Sequence, residues 1–405
     1  MGNVPVPRIM FLLALLTAFP ALATDMYLPA LPYLRSLWNV PLMVINLTLI
    51  CFFLTYCLLM LVYGPISDRF GRRRPLLVGV GIFIVASGMC ALADSVHTLI
   101  AARILQASGA AAASALSLAI SKDLFESQLR ARLMAYIAVI VALAPMLAPV
   151  IGGWVIHHAS WRWVFIFQGI MGVIAWVGVY RMHESLKQFE PLSVGRAMLV
   201  YFRLFRNRRY TGLLLAMSLL VFPFFAFIAG SPDIYMTRFG MDERQFGYFF
   251  GFNAFAFMCG PVVFSRLSRR VATAPLLTVA FAGISASSLL MLIWPYDSPW
   301  RLAVPMWGIT FFLGMSRPPS NNLILDQVNR DVGAASALII FTFMTFGAIS
   351  MALISLQWTD KIKVLGLLGT FGGAATLLFW LKYGKHYFME SDPATENRPT
   401  PPAAA

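Results

Sequence analysis

The chain has 405 residues, 59% hydrophobic and 12% charged, with a net charge of +14 and a mean hydropathy of +0.75. An ordinary soluble chain is about a quarter charged, so charge this sparse excludes a water-facing globule. One crossing helix takes about 20 apolar residues, and the apolar content supplies about 12 of them. The basic balance does not point to nucleic acid, because the cations sit in short connections between apolar runs rather than along one soluble face. Cys51, Cys57, Cys90 and Cys259 lie inside apolar runs at no metal-site spacing and read as packing thiols.

The first element needs a choice. Arg8, the apolar run from Ile9 and the stretch Ala21-Leu22-Ala23 imitate a cleavable secretory signal. An uncleaved first span is the better reading, since many spans follow and the run continues toward Pro29. The predicted spans, in order, are 8–31, 41–63, 75–94, 98–120, 132–157, 161–181, 211–236, 245–266, 274–295, 301–325, 333–357 and 362–383. They imply an all-α membrane protein: an N-terminal six-helix bundle over 1–182, a linker over 183–210, a second bundle over 211–388 and a disordered tail over 389–405. About 22 of the 31 Lys and Arg fall on the side of the termini, which places both termini in the cytoplasm.

Several residues within these elements invite chemistry. Asp25, in the first span, is an acid at membrane depth, so it should face the bundle interior or a water cavity. It lies about 10 Å from the outer end of its helix, and Arg103 of the fourth span lies about 9 Å from its own, depths that suit a charge pair. Such a pair is either functional or a static ion pair that fixes packing. Gly64-Pro65 is expected to end the second span before a basic loop, and Gly260-Pro261 to end the eighth before Arg266, Arg269 and Arg270, an echo that suggests a duplicated six-span unit. The fifth span carries Pro145 and Pro149, then Gly152 and Gly153, a kinked and smooth helix suited to a rocking interface. In the linker, Val194, Met198, Leu199, Phe202 and Phe205 recur near helical spacing among arginines; either an amphipathic helix on the cytoplasmic leaflet or a solvated linker results. Asp233 stands near the outer end of the seventh span beside Pro232, at the water interface or contributing to a site. Arg317, in the inner half of the tenth, lines an inward cavity or snorkels, with Asp326 and Asp331 placed to neutralise it.

The chain resembles the major facilitator superfamily, in particular the 12-span drug:proton antiporters of the Bcr/CflA type, across about 380 residues. The resemblance rests on Gly64-Pro65-Ile66-Ser67-Asp68-Arg69-Phe70-Gly71-Arg72-Arg73, on Arg103-Ile104-Leu105-Gln106-Ala107-Ser108-Gly109 and on Ala144-Pro145 through Pro149 to Gly152-Gly153. Thr24-Asp25-Met26-Tyr27-Leu28-Pro29 and Trp161-Arg162-Trp163-Val164-Phe165 are similar to the subgroup's own signatures. It implies that Asp25 carries the proton with Arg103 as its electrostatic partner. It implies further that Gly64, Asp68, Arg69, Gly71, Arg72 and Arg73 form a gating latch, with Gly64 and Gly71 allowing close approach and a tight turn. Asp68 would pair with a helix N-terminus, and the arginines would reach Asp123 to hold the outward-facing state. Pro145, Pro149, Gly152 and Gly153 match the antiporter helix. Candidate cavity residues are Thr17, Tyr27, Tyr56, Gln106, Phe225 and Asp233. Some relatives carry a second acid where this chain has Thr17, which favours neutral or weakly polar substrates over dications.

Enzyme chemistry has no foothold: there is no nucleotide-binding loop, no metal constellation, no nucleophile motif and no cofactor signature, and the five histidines are scattered. Without an ATP site, transport must draw on ion gradients. A proton crossing 100 mV releases about 2.3 kcal/mol, and each pH unit adds about 1.4 kcal/mol. The expected function is export of small drugs, phenicol-like, bicyclomycin-like or multidrug, in exchange for protons by a monomer in the bacterial inner membrane. The alternative is a proton-coupled carrier of an endogenous metabolite on the same fold.

Overall fold

The computed structural model describes residues 6–125, 127–186, 194–295 and 297–384. The expected tail over 389–405 and the linker positions 187–193 lie outside the described residues. Twelve spans and one linker helix account for the rest. We number them α1 (Arg8–Leu37), α2 (Leu42–Phe70), α3 (Arg73–Ala91), α4 (Val96–Leu124), α5 (Ser127–His158), α6 (Trp161–Arg181), the linker helix α7 (Val194–Arg206), α8 (Arg208–Arg238), α9 (Glu243–Leu267), α10 (Thr273–Ile293), α11 (Pro299–Leu325), α12 (Val332–Ile354) and α13 (Lys361–Gly384). Ten of these are long and apolar enough to cross a membrane. The 32-residue α5 and the 27-residue α11, each interrupted by prolines, complete the twelve.

Small side chains set how closely these helices approach. A Cβ on Gly109 of α4 would stand 2.5 Å from the Gly79 carbonyl oxygen of α3, so the two backbones touch through an Ala-rich surface. Gly260 of α9 lies equally tight against α11, where a Cβ would meet the Phe311 carbonyl oxygen at 2.3 Å. Within the first half α1 packs on α4 and α5, and α3 on α4 and α6; within the second α9 packs on α11, and α10 on α11 and α13. Two helix pairs carry most of the contact between the halves, α2 with α12 and α5 with α9, and the outer part of α1 adds contacts to α8 and α9.

The Gly-Pro pairs do not end their spans. α2 runs through Pro65 to Phe70, and α9 through Pro261 to Leu267. The echo is also unequal in packing, because Gly64 has no atom within 4 Å of a would-be Cβ whereas Gly260 is in backbone contact. The linker helix forms as the spacing predicts. Its Tyr201 and Leu204 are buried, and the Tyr201 hydroxyl donates to the Leu61 carbonyl of α2 at 3.1 Å. Met198, Leu199, Phe202 and Phe205 are left exposed on its other side.

The two faces of the bundle differ. The face with the α2–α3 turn and α7 carries the basic loops, and on it α7 docks against both α2 and α12. On the opposite face the halves touch directly, as described next.

Candidate functional site

α1 is broken below its outer end. The helix stops at Asp25, a single 3-10 turn covers Leu28–Ala30, and a second helical piece runs over Leu31–Leu37. Asp25 is therefore the last helical residue before the break, and it is 6% exposed. Its carboxylate accepts a hydrogen bond from the Thr24 hydroxyl at 2.9 Å. Beside it, Gly152 of α5 presses on the Met26 carbonyl, to which a Cβ would come within 2.1 Å. The acid, the break and the smooth patch of α5 thus share one contact.

Arg103 reaches the same level from α4 and is fully buried. It makes no ion pair with Asp25. Its Nη1 donates to the Ala23 carbonyl at 2.9 Å and to Gln106 Oε1 at 2.6 Å, and its guanidinium stacks 4.3 Å from the Phe52 ring centroid. The equal depth expected of the two charges holds, but a backbone carbonyl of α1 takes the donor that the carboxylate was expected to take. Gln106 extends this network, donating to Ser87 at 2.9 Å and to Gln168 at 2.8 Å. Arg103 Nη2 keeps no protein partner.

The basic turn after α2 is organised around Arg72. Its side chain bonds Asp68 at 2.5 Å, one helical turn back, and Asp123 at the end of α4 at 2.9 Å. Burial pushes the Arg72 guanidinium down, but the hydrogen bond and charge of Asp123, with Asp68, hold it above its ordinary value. Asp68 does not sit at a helix N-terminus as expected, because Arg72 claims it; Glu184 takes that place. The Glu184 carboxylate accepts from the backbone N–H of Arg72 at 2.8 Å and of Arg73 at 3.1 Å, at the positive end of α3. Gly71, at φ +85°, makes the turn, and a Cβ there would stand 2.6 Å from Glu184 Oε2. Arg73 donates to the carbonyls of Val179 and Tyr180 at the end of α6. Arg69 rests over the Phe70 ring and has no ion pair among the described residues, and Gly64 faces open space rather than a close neighbour. All these partners belong to the first half.

The contacts that cross between halves gather at the opposite face. Gly153 of α5 would bring a Cβ within 2.3 Å of the Glu243 carbonyl of α9, and Gly247 of α9 within 2.8 Å of the Pro149 carbonyl. Trp154 donates to the Tyr248 hydroxyl at 3.2 Å, and His157 lies 3.5 Å from Glu243. Asn46 of α2 donates to the Ala229 carbonyl at 3.2 Å and to the Ser355 hydroxyl at 2.7 Å. Asp233 is bridged by Arg35 of α1 at 2.6 Å and by Lys361 of α13. Asn46, Arg35 and Lys361 went unnoticed in the sequence, since each lies far along the chain from its partner.

The candidate cavity residues do not converge. Thr17 bonds carbonyls of its own helix, Tyr27 is buried against Thr48, and Gln106 is consumed by the Arg103 network. Tyr56 stacks on Phe52, and Phe225 meets Phe53 of α2 edge-on at 5.4 Å. Asp233 is held in the cross-half bridge. Arg317 neither pairs with Asp326 or Asp331 nor extends to the helix end; it lies over the Phe343 ring of α12, 3.8 Å from the centroid.

Comparison with known proteins agrees with this architecture. The MFS-type transporter YdgK of Bacillus subtilis (strain 168) is 28% identical over 361 residues, 87% of this chain and 90% of that protein. The bicyclomycin resistance protein homolog of Haemophilus influenzae is 27% identical over 387 residues, 94% and 95% of the two chains. The multidrug transporter MdfA of Yersinia pestis is 28% identical over 315 residues, 74% and 75%. A crystal structure of a D-xylose–proton symporter superposes with a TM-score of 0.77 at 15% identity, covering 93% of this chain and 97% of that one. The family model described as Major Facilitator Superfamily matches residues 13–352. This multi-pass membrane protein is a transporter, not an enzyme, and the chain belongs to the major facilitator superfamily.

Proposed function

We propose that the chain exports small drugs across the bacterial inner membrane in exchange for protons, by alternating access, with its basic face in the cytoplasm. Asp25 carries this reading: among the described residues it is the one carboxylate buried well inside the spans, and it sits where a helix break meets the interface between halves. A proton on Asp25 and a bound drug compete for the site, so each drives the other out. Arg103 holds the α1 break through the Ala23 carbonyl and tunes Asp25 by its charge rather than by contact. The conformation is inward-facing, because the direct contacts between halves lie toward the face opposite the basic loops. Asp68, Arg72, Asp123 and Glu184 preassemble the latch within the first half, ready to meet the second half when the cytoplasmic side closes. The exposed apolar side of α7 rests on the cytoplasmic leaflet. The names of the bicyclomycin and multidrug relatives support drugs as substrates.

Inverted vesicles test the direction and the coupling. An inside-acid gradient is expected to drive uptake of a phenicol or bicyclomycin, and an uncoupler to stop it. Uptake that ignores the proton gradient, or none across phenicols, bicyclomycin and lipophilic cations with folded protein, would move the assignment to a metabolite carrier.

A further inference from the structure

Among the described residues three charged side chains stand well inside the spans: Asp25, Arg103 and Arg317. Two are permanent cations and one is an acid, so the interior has more positive than negative charge even with Asp25 ionised. Arg103 is embedded in its own network; Arg317 is not. It lies eight residues before the end of α11 at Leu325, about 12 Å from the basic face along the axis. No carboxylate pairs with it among the described residues, and its Nη1 is buried without a protein partner.

Arg317 is also not alone. Ser320 and Asn321 follow at i+3 and i+4, hence on the same side of α11, and the buried Ser320 Oγ and Asn321 Oδ1 likewise have no partner. Three orphaned polar groups on one helical turn are costly unless something bonds them. The Phe343 ring beneath the guanidinium fixes its plane and leaves the edge N–H groups as the usable donors. An edge-on guanidinium fork with the Ser320 hydroxyl beside it matches a carboxylate, which takes two parallel N–H bonds and an O–H bond. The Asn321 Oδ1, an acceptor, is not a partner for an anion. α11 belongs to the second half, and α12, which bears Phe343, packs on α2 across the interface, so the cluster borders the route between the halves.

We propose that Arg317, with Ser320, is an anion-binding subsite, and that substrates of this transporter include compounds bearing a carboxylate. The proposal deepens the transport reading and rests on it, but it is tested by binding alone. The purified full chain in neutral detergent is titrated with 2-naphthoate and with its uncharged counterpart 2-naphthamide, and affinities are read by calorimetry. Wild type binds the carboxylate at least tenfold more tightly. Arg317→Gln removes that preference by weakening carboxylate binding, a wild-type gel-filtration profile and melting temperature showing that the variant is folded, and Arg317→Lys restores part of it. Equal affinities in wild type, or a preference that survives in Arg317→Gln, would overturn the proposal. A second arm adds phosphatidylglycerol: competition that disappears in Arg317→Gln would assign the cluster to a lipid headgroup and also overturn it. Because no gradient is involved, failure here leaves the drug:proton exchange to stand or fall by the vesicle experiment.

Discussion

A glycine that touches backbone cannot be replaced, and one that faces space can. Gly152 would place a Cβ 2.1 Å from the Met26 carbonyl oxygen, and that carbonyl belongs to the α1 break and has no rotamer with which to yield. Gly152→Ala is expected to cost about 1–3 kcal/mol through overpacking, seen as a lower melting temperature in detergent. Gly64→Ala should leave stability unchanged or raise it by up to about 1 kcal/mol, since Gly64 sits inside α2 with nothing near it. The sequence presents both residues as motif glycines; only the neighbour, supplied by another helix, tells them apart. The same limit applies to Asp25 and Arg103. Their common depth was legible from spacing, but that Arg103 Nη1 bonds the Ala23 carbonyl depends on how α1 breaks. Glu184 was illegible for a related reason: its partners are backbone N–H groups 111 and 112 positions away.

Among the elements, hydrophobic run length predicts all twelve spans to within a few residues at most ends, because a lipid-spanning helix is specified by composition more than by partners. Where it fell shortest, ending the second span at 63 before Gly64-Pro65, the helix continued through proline to Phe70, and the lost hydrogen bond is one a bundle tolerates. Of the apolar residues predicted for the linker helix, Met198, Leu199, Phe202 and Phe205 are left exposed, while Tyr201 and Leu204 do the docking. Helix ends on the opposite face are fixed by charge. Asp360 caps α13, accepting from Ile362 N at 3.1 Å, and takes Arg238 at 3.0 Å and Arg301 at 3.2 Å. Burial pushes its carboxyl up, but the Arg238 hydrogen bond and the Arg301 charge outweigh this and hold it below the ordinary carboxylate value. A depressed native pKa means that the ionised group stabilises the fold above the unfolded value of about 3.9, and that this is lost as pH falls through the native value. Asp360→Asn should therefore cost about 2 kcal/mol at neutral pH. The penalty should shrink in melts taken below about pH 4. An equal penalty at both pH values would show that the charge contributes nothing.

For the whole molecule the question is which side is closed and what holds it. Arg35 of the first half and Lys361 of the second share Asp233, so this carboxylate ties the halves together at the opposite face. Asp233→Asn should release that side and move the balance between open and closed by about 1–2 kcal/mol, about 5- to 30-fold in the population ratio. Spin labels at Ser36→Cys and Thr237→Cys, in a background without the four native cysteines, would report it: one short distance in the parent and an added long-distance population in the variant. An unchanged distribution would show that the α5–α9 and α2–α12 contacts close the face unaided. The central claim is that this rocking is coupled to a proton on Asp25. It is tested most directly by drug-dependent proton release from detergent-solubilised protein, wild type against Asp25→Asn, with a phenicol, bicyclomycin and a lipophilic cation. Release by wild type and none by the variant, at equal fold stability, is the predicted result; release that persists in Asp25→Asn would contradict it and place the coupling acid elsewhere.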